Sequence, residues 1–154
     1  MKKNNLLVLL TAIAVILIGF VGSDNKDGKK NQVGIETDTI GSEINKDIQQ
    51  ITLSKSLAHG LVNADITDDF SDKETIETIT QAIYTAAPIP GILNTATPDY
   101  DIVLISANSK LAFHLWISET SEQAMIMAVE ETHTGYTLSE KSTVKLKEII
   151  FRGY

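Results

Sequence analysis

Between residues 99 and 138 the chain alternates apolar and polar side chains in short runs joined by compact turns, the period-two signature of antiparallel strands. YDIVLIS (100–106) predicts one strand, Ala107-Asn108-Ser109-Lys110 a turn, and LAFHLWIS (111–118) the next strand. In that second strand Leu111, Phe113, Leu115 and Ile117 take one face, and Ala112, His114 and Trp116 the other. The aliphatic side is expected to face helices, and the side carrying His114 and Trp116 to be partly exposed. ETSE (119–122) turns the chain into AMIMAVE (124–130), in which Met125, Met127 and Val129 alternate with Ala124, Ile126 and Ala128. GYTL (135–138) is the last predicted strand of this meander.

Upstream, Ile51 and Leu53 share one face of a first predicted strand within residues 47–55. Residues 56–70 (SLAHGLVNADITDDF) read as loop with a short strand near 60–63. Ser71-Asp72-Lys73-Glu74 reads as a capping box, with Ser71 as the cap. Ile76, Ile79 and Ile83, with Ala82, Ala86 and Ala87, come next at helical spacing, so a helix is predicted over 72–87, stopped by Pro88 and Pro90. IPGILNTATP (89–98) reads as a loop wrapping the helix end. Ser139 caps a second predicted helix running to about Phe151, with Thr143, Leu146, Ile149 and Ile150 inward. Helices before and after a run of hairpins predict an α+β domain over 47–154: an antiparallel β-meander of four to five strands with both helices packed on one face.

The front of the chain has a different pattern. MKKNN (1–5) is a short positive region, and residues 6–21 (LLVLLTAIAVILIGFV) form an uninterrupted apolar run. As a helix this run spans roughly 24 Å at about 1.5 Å per residue, short of a hydrocarbon core of about 30 Å. Residues 1–23 therefore read as a signal peptide or membrane anchor, whose positive flank directs the downstream chain to the outer side of the membrane. Phe20-Val21-Gly22-Ser23 looks like a bacterial lipobox in which Ser23 stands at the lipid-accepting cysteine position. A serine cannot take a thioether-linked lipid, so the segment is either retained as an anchor or cut after Ser23, releasing the protein; a native cysteine at this position would instead make it a lipoprotein. Residues 24–46 are polar, contain Gly28, Gly34 and Gly41, and show no sustained periodicity, which predicts a flexible tether. The expected location is the extracytoplasmic side of the cell membrane, with the membrane engaged through the N-terminal segment.

Composition narrows the function classes. The 154 residues include 13 Lys and Arg against 20 Asp and Glu, a net charge of −7, which argues against nucleic acid as a partner. There is no cysteine, so disulfides, thiolate nucleophiles and Cys-based metal centres are excluded.

Four stretches carry a resemblance: Pro98-Asp99-Tyr100-Asp101; His114-Leu115-Trp116-Ile117; Met125-Ile126-Met127; and Glu131-Thr132-His133-Thr134-Gly135-Tyr136-Thr137-Leu138-Ser139 ahead of an amphipathic helix. Together, over about residues 48–150, they resemble the YhfM-like domain of small Gram-positive lipoproteins. The resemblance implies an extracytoplasmic, lipid-anchored domain with no established activity. Where that group carries a lipid-bearing cysteine this chain has Ser23.

His114 and Trp116, two residues apart on one strand face, are the candidate ligand-binding pair, because an imidazole beside an indole can hold a sugar, a peptide or a stacked ring. The competing structural reading is that Trp116 packs under a loop such as 89–93 and His114 is a partly buried histidine of the fold. Glu130, Glu131 and His133 are adjacent in a turn and point in different directions, a poor basis for a zinc site. Asp65, Asp68, Asp69 and Asp72 lack the spacing of a calcium loop. His59, His114 and His133 are the only histidines and no nucleophile elbow, zinc-protease helix or phosphate loop accompanies them. No metal or cofactor is expected. The leading expectation is a membrane-tethered interaction module for a peptide, protein or cell-envelope component. The alternative is a small hydrolase or metal-dependent enzyme using His114 or His133 with nearby acids.

Overall fold

The computed structural model describes Ile44 and residues 47–131 and 133–152, whose elements belong to one compact unit. The expected signal or anchor segment with Ser23, and the tether apart from Ile44, lie outside the described residues. Among the described residues no helix is long and apolar enough to cross a membrane.

Among the described residues seven strands and two helices succeed one another as β1 (Ile48–Lys55), β2 (Ile66–Phe70), α1 (Lys73–Tyr84), β3 (Ala87–Pro88), β4 (Tyr100–Ser106), β5 (Lys110–Trp116), β6 (Met125–Ala128), β7 (Gly135–Thr137) and α2 (Glu140–Ile150). The strands make a single sheet in the order β2-β1-β4-β5-β6-β7-β3, every neighbouring pair antiparallel. The α+β class and the two helices are as expected, but the sheet has seven strands rather than four to five. The two additional edge strands are weakly written. β2 (ITDDF) is almost wholly exposed and carries Asp68 and Asp69, and β3 is two residues long and ends in Pro88. The paired aspartates of β2 and the proline of β3 obscure the strand pattern, and both segments are suited to an edge, where acids and proline discourage further pairing. The short strand expected near 60–63 is absent, and pairing with β1 begins instead at Ile66.

The aliphatic face behaves as its period-two pattern dictates. Ile51 and Leu53 of β1, Ile102 and Leu104 of β4, Phe113 and Leu115 of β5 and Ile126 of β6 join Ile76, Ile79 and Ile83 of α1 and Leu146 and Ile149 of α2 in one buried cluster. Ile51, Leu104, Leu115, Ile126 and Ile83 have no exposed surface. At about 1.5–3 kcal/mol for each fully buried aliphatic side chain, this cluster is the main stabilising element.

Both helix starts are set by short polar side chains. Ser139 caps α2 by accepting the Ser142 N–H, and Thr143, one residue on, is fully buried and accepts the Ala124 N–H at 2.9 Å. For α1 the cap is Asp72, not Ser71: the Asp72 carboxylate accepts the Thr75 N–H at 2.9 Å. The helix starts one residue later than a Ser71 cap requires. An Asp cap also brings a negative charge to the positive end of the helix dipole. The Thr75 N–H, with help from its hydroxyl, holds the Asp72 carboxyl below its ordinary pKa.

Strand order dictates what happens to the other sheet face. α1 carries the chain from β2 at one edge to β3 at the opposite edge, yet β4 must sit beside β1. Residues 89–99 therefore return across the sheet on the face the helices leave free, rather than wrapping the helix end. Ile89 N–H donates to Gly135 O at 2.9 Å and Leu93 N–H to His133 O at 3.3 Å, so this return runs alongside β7 before reaching β4.

Candidate functional site

The second sheet face is built in rows. Antiparallel register places Ser54, Asp101, His114, Met127 and Gly135 opposite one another across β1, β4, β5, β6 and β7. The next row holds Trp116, Met125 and Thr137. Asp101 reaches this face because it alternates with Tyr100 and Ile102, both of which point into the core. His114 does so by alternating with Phe113 and Leu115.

His114 has no exposed surface, and Asp101 keeps 1% of its own. This departs from the expected partial exposure of the imidazole. Its cause is a second loop, residues 56–65 between β1 and β2, which lies over β4 and β5. Gly60 N–H donates to His114 Nε2 at 2.9 Å, and Asn63 N–H donates to Asp101 Oδ2 at 2.9 Å. Gly60 has φ +73°, a left-handed conformation that glycine adopts without strain. Between the two residues themselves, His114 Nδ1 and Asp101 Oδ1 are 2.8 Å apart.

These contacts assign the tautomer. A backbone N–H can only donate, so Nε2 is an acceptor and carries no proton. The proton of a neutral ring is then on Nδ1, donated to Asp101. The buried carboxylate thus receives two donors, which offsets its removal from water.

Trp116 is half-buried, and its indole N–H donates to Ala96 O at 2.8 Å, fastening the returning 89–99 segment to β5. His59, from loop 56–65, packs beside both rings to form a triangle, with centroids 6.0 Å from His114 and 5.9 Å from Trp116. The His114 and Trp116 rings are edge-on at 6.2 Å and 74°. His59 Nε2 also bonds Thr95 Oγ1 at 3.0 Å, which ties the two loops to each other. On β7, the absence of a side chain at Gly135 lets Leu93 close down: a Cβ there would collide with Leu93 Cδ1.

The structure therefore brings His114 and Trp116 together, as their spacing predicted, under a roof of two loops. Asp101, His59, Gly60 and Asn63 complete the cluster and were not singled out from sequence. Asp101 had a signal, an acid inside an otherwise apolar strand; Gly60 and Asn63 read only as loop residues, and it is their backbone N–H groups that meet His114 and Asp101. His133 is exposed in the β6–β7 turn, as are Glu130 and Glu131. Among the described residues no group of three His, Asp or Glu side chains is placed to hold a metal ion. In the acidic stretch, Asp69 accepts from Gln50 and Asp72 caps α1.

Chemically, an Asp–His pair with a basic Nε2 is the arrangement a general base needs. Here Nε2 is occupied by a backbone N–H. Ser56 Oγ, at the start of the same loop, is buried without a hydrogen-bond partner. An open depression of about 910 Å³ lies elsewhere, beside α1, lined by Ile48, Ile76 and Tyr84 among others. Outward from the loops stand Leu57 (72% exposed), Leu61 (66%), Val62 and Ile92 (86%).

Residues 44–152 match the family model described as YhfM protein. The crystal structure of a thioesterase-like protein from Clostridium sporogenes ATCC 15579 is similar in fold, with a TM-score of 0.52 at 15% identity, covering 70% of this chain and 97% of that one. At that identity the likeness is one of fold alone. No curated protein matches the chain.

Proposed function

The chain belongs to the YhfM protein family, and from that premise and the covered sheet face we propose a membrane-tethered, extracytoplasmic binding module whose contact surface is the outside of the two loops fastened to His114 and Trp116. One observation carries this reading. His114 Nε2 and the Trp116 indole N–H are spent on holding the two loops and His114 Nδ1 on Asp101 of β4, while Leu57, Leu61, Val62 and Ile92 on those loops are exposed. Large aliphatic side chains on held loops mark interaction sites, because they offer apolar area to a partner at little further ordering cost. Asp65, Asp68 and Asp69 come next on the same stretch and are exposed, which suits a protein partner with an apolar centre and basic residues at its rim. The free sheet edges are poorer contact sites, because Asp68 and Asp69 lie on one and Pro88 on the other. Residues 1–23 supply the anchor and residues 24–46 the tether in this reading.

The test is photocrosslinking from position 61 of the full chain in its native envelope. A discrete protein adduct that disappears with Ile92→Asp or Val62→Asp, at unchanged thermal stability, is the expected result. No adduct, or one indifferent to both substitutions, overturns the proposal. Protease accessibility in intact cells tests the location independently: the domain is expected to be cut from outside.

A hydrolase is the second reading, supported by the Asp101–His114 hydrogen bond and by the fold likeness to a thioesterase-like protein. It requires loop 56–65 to leave Nε2. Turnover of simple esters or thioesters by the full chain, abolished by His114→Gln, would favour it over the binding reading.

A further inference from the structure

We infer that residues 60–62 of loop 56–65 are an acid-released flap: a second proton on His114 expels Gly60 from Nε2 and frees the stretch between His59 and Asn63, which displays Leu61 and Val62. This deepens the binding reading by naming a regulator of the same surface, and rests on that reading only for its consequence. His114 Nε2 is held as an acceptor by the Gly60 N–H at 2.9 Å, and protonation turns it into a donor facing a donor. The ring cannot turn away from the conflict, because Nδ1 is bound to Asp101 and the side chain is fully buried.

The titratable and charged groups facing the ring are few. From β4, Asp101 contacts Nδ1 and supports the imidazolium; Asp99, just ahead of that strand, is exposed and accepts the Ile117 N–H. From β6 the cross-strand neighbour is Met127, which carries no charge. From the loop itself comes His59, 6.0 Å away. His59 does not share the conflict. Its partner is the Thr95 hydroxyl, which can accept as well as donate, so that tie survives protonation. The closed loop is therefore favoured by neutral His114 and lost as the pH falls. Asn63 N–H, bonded to the other oxygen of Asp101, keeps its partner, and with His59 still tied to Thr95 the motion is limited to residues 60–62.

Amide hydrogen exchange of the full chain, converted to protection factors, decides the matter. It is read across about pH 5 to 8, where imidazoles ordinarily titrate, and lower until NMR signals of the ring report the second proton on His114. The expected result is a fall of about tenfold in Gly60 protection, the loss of one ordinary hydrogen bond, while Leu104 and Leu115 in the central strands are unchanged. In His114→Gln, whose amide oxygen can accept from Gly60 without titrating, the pH step should vanish; in His59→Gln it should remain. Gly60 protection that is constant through His114 protonation, or that falls together with the central strands, overturns the inference. So does a step that persists in His114→Gln. Should His114→Gln fail to fold, the wild-type comparison and His59→Gln still decide. Crosslinking is not involved, so failure here leaves the binding proposal standing.

Discussion

Replacing His114 by alanine removes a side chain that, with Asp101, joins β5, β4 and loop 56–65, and the cost can be assembled from the structure. Gly60 N–H and Asp101 Oδ1 each lose a partner beneath the covered face. A buried group left unsatisfied costs about 1–3 kcal/mol, more when charged. The vanished ring also leaves a void among His59, Trp116 and Met127, and large-to-small changes in packed interiors typically cost about 2–5 kcal/mol. The two contributions overlap, because water entering the void would rescue part of the hydrogen bonding, so the net expectation is about 3–5 kcal/mol. That is a large share of the roughly 5–15 kcal/mol that holds a domain together. The assay is urea denaturation of the full chain, monitored by circular dichroism and by fluorescence of Trp116, the only tryptophan. The two signals separate global unfolding from loosening of the loops alone. His114→Gln, which can keep the Gly60 bond, should lose less than His114→Ala. A loss below about 1 kcal/mol for His114→Ala, within the range of ordinary surface substitutions, would refute the claim that this residue organises the second face.

Other contacts lead to further outcomes. Trp116→Phe removes the bond to Ala96 O and should cost about 0.5–1.5 kcal/mol, with faster exchange in residues 89–99 as the accompanying sign. Gly135→Ala drives a methyl group into Leu93 and should cost about 1–3 kcal/mol by overpacking; in the double mutant with Leu93→Ala the loss should be smaller than the sum by about 0.5 kcal/mol or more. The Asp72 carboxyl is held below its ordinary pKa by the Thr75 N–H, so its contribution to α1 is complete above the unfolded-state value and disappears as the pH falls through the folded one. Asp72→Ala should therefore destabilise the chain at neutral pH, and its denaturation midpoint should converge with that of the parent in acid.

The helix-facing half of the molecule was legible because its rule is local. Alternation in YDIVLIS and LAFHLWIS assigned Phe113, Leu115 and Ile117 to the core, and the isoleucine spacing of α1 needed no knowledge of the rest of the chain. The second face was not legible, because it depends on where chain segments cross. Nothing in residues 89–98 states that α1 delivers the chain to the far edge of the sheet, so the return across the surface is a consequence of strand order. The β4–β5 turn shows a finer limit. A turn over residues 107–110 pairs residue 106 with 111 and so places Asp101 opposite Trp116. The observed turn is tightened by the Ser106 and Ser109 hydroxyls, β5 starts at Lys110, and Asp101 faces His114. The two registers differ by two residues, so every side chain keeps its face while the decisive pair changes partner. β2 and β3 escaped for a third reason: edge strands tolerate the aspartates and the proline that make a segment look like loop.

The claim on which the rest depends is that His114 is a fixed structural pin, protonated at Nδ1 toward Asp101 and accepting the Gly60 N–H at Nε2. Nitrogen-detected NMR of the histidine rings in the folded chain at neutral pH tests this directly. The predicted result is a single Nδ1–H tautomer for His114, with an unprotonated Nε2 coupled through its hydrogen bond to the Gly60 amide. A ring protonated at Nε2, or one exchanging rapidly between tautomers with no coupling to Gly60, would contradict it.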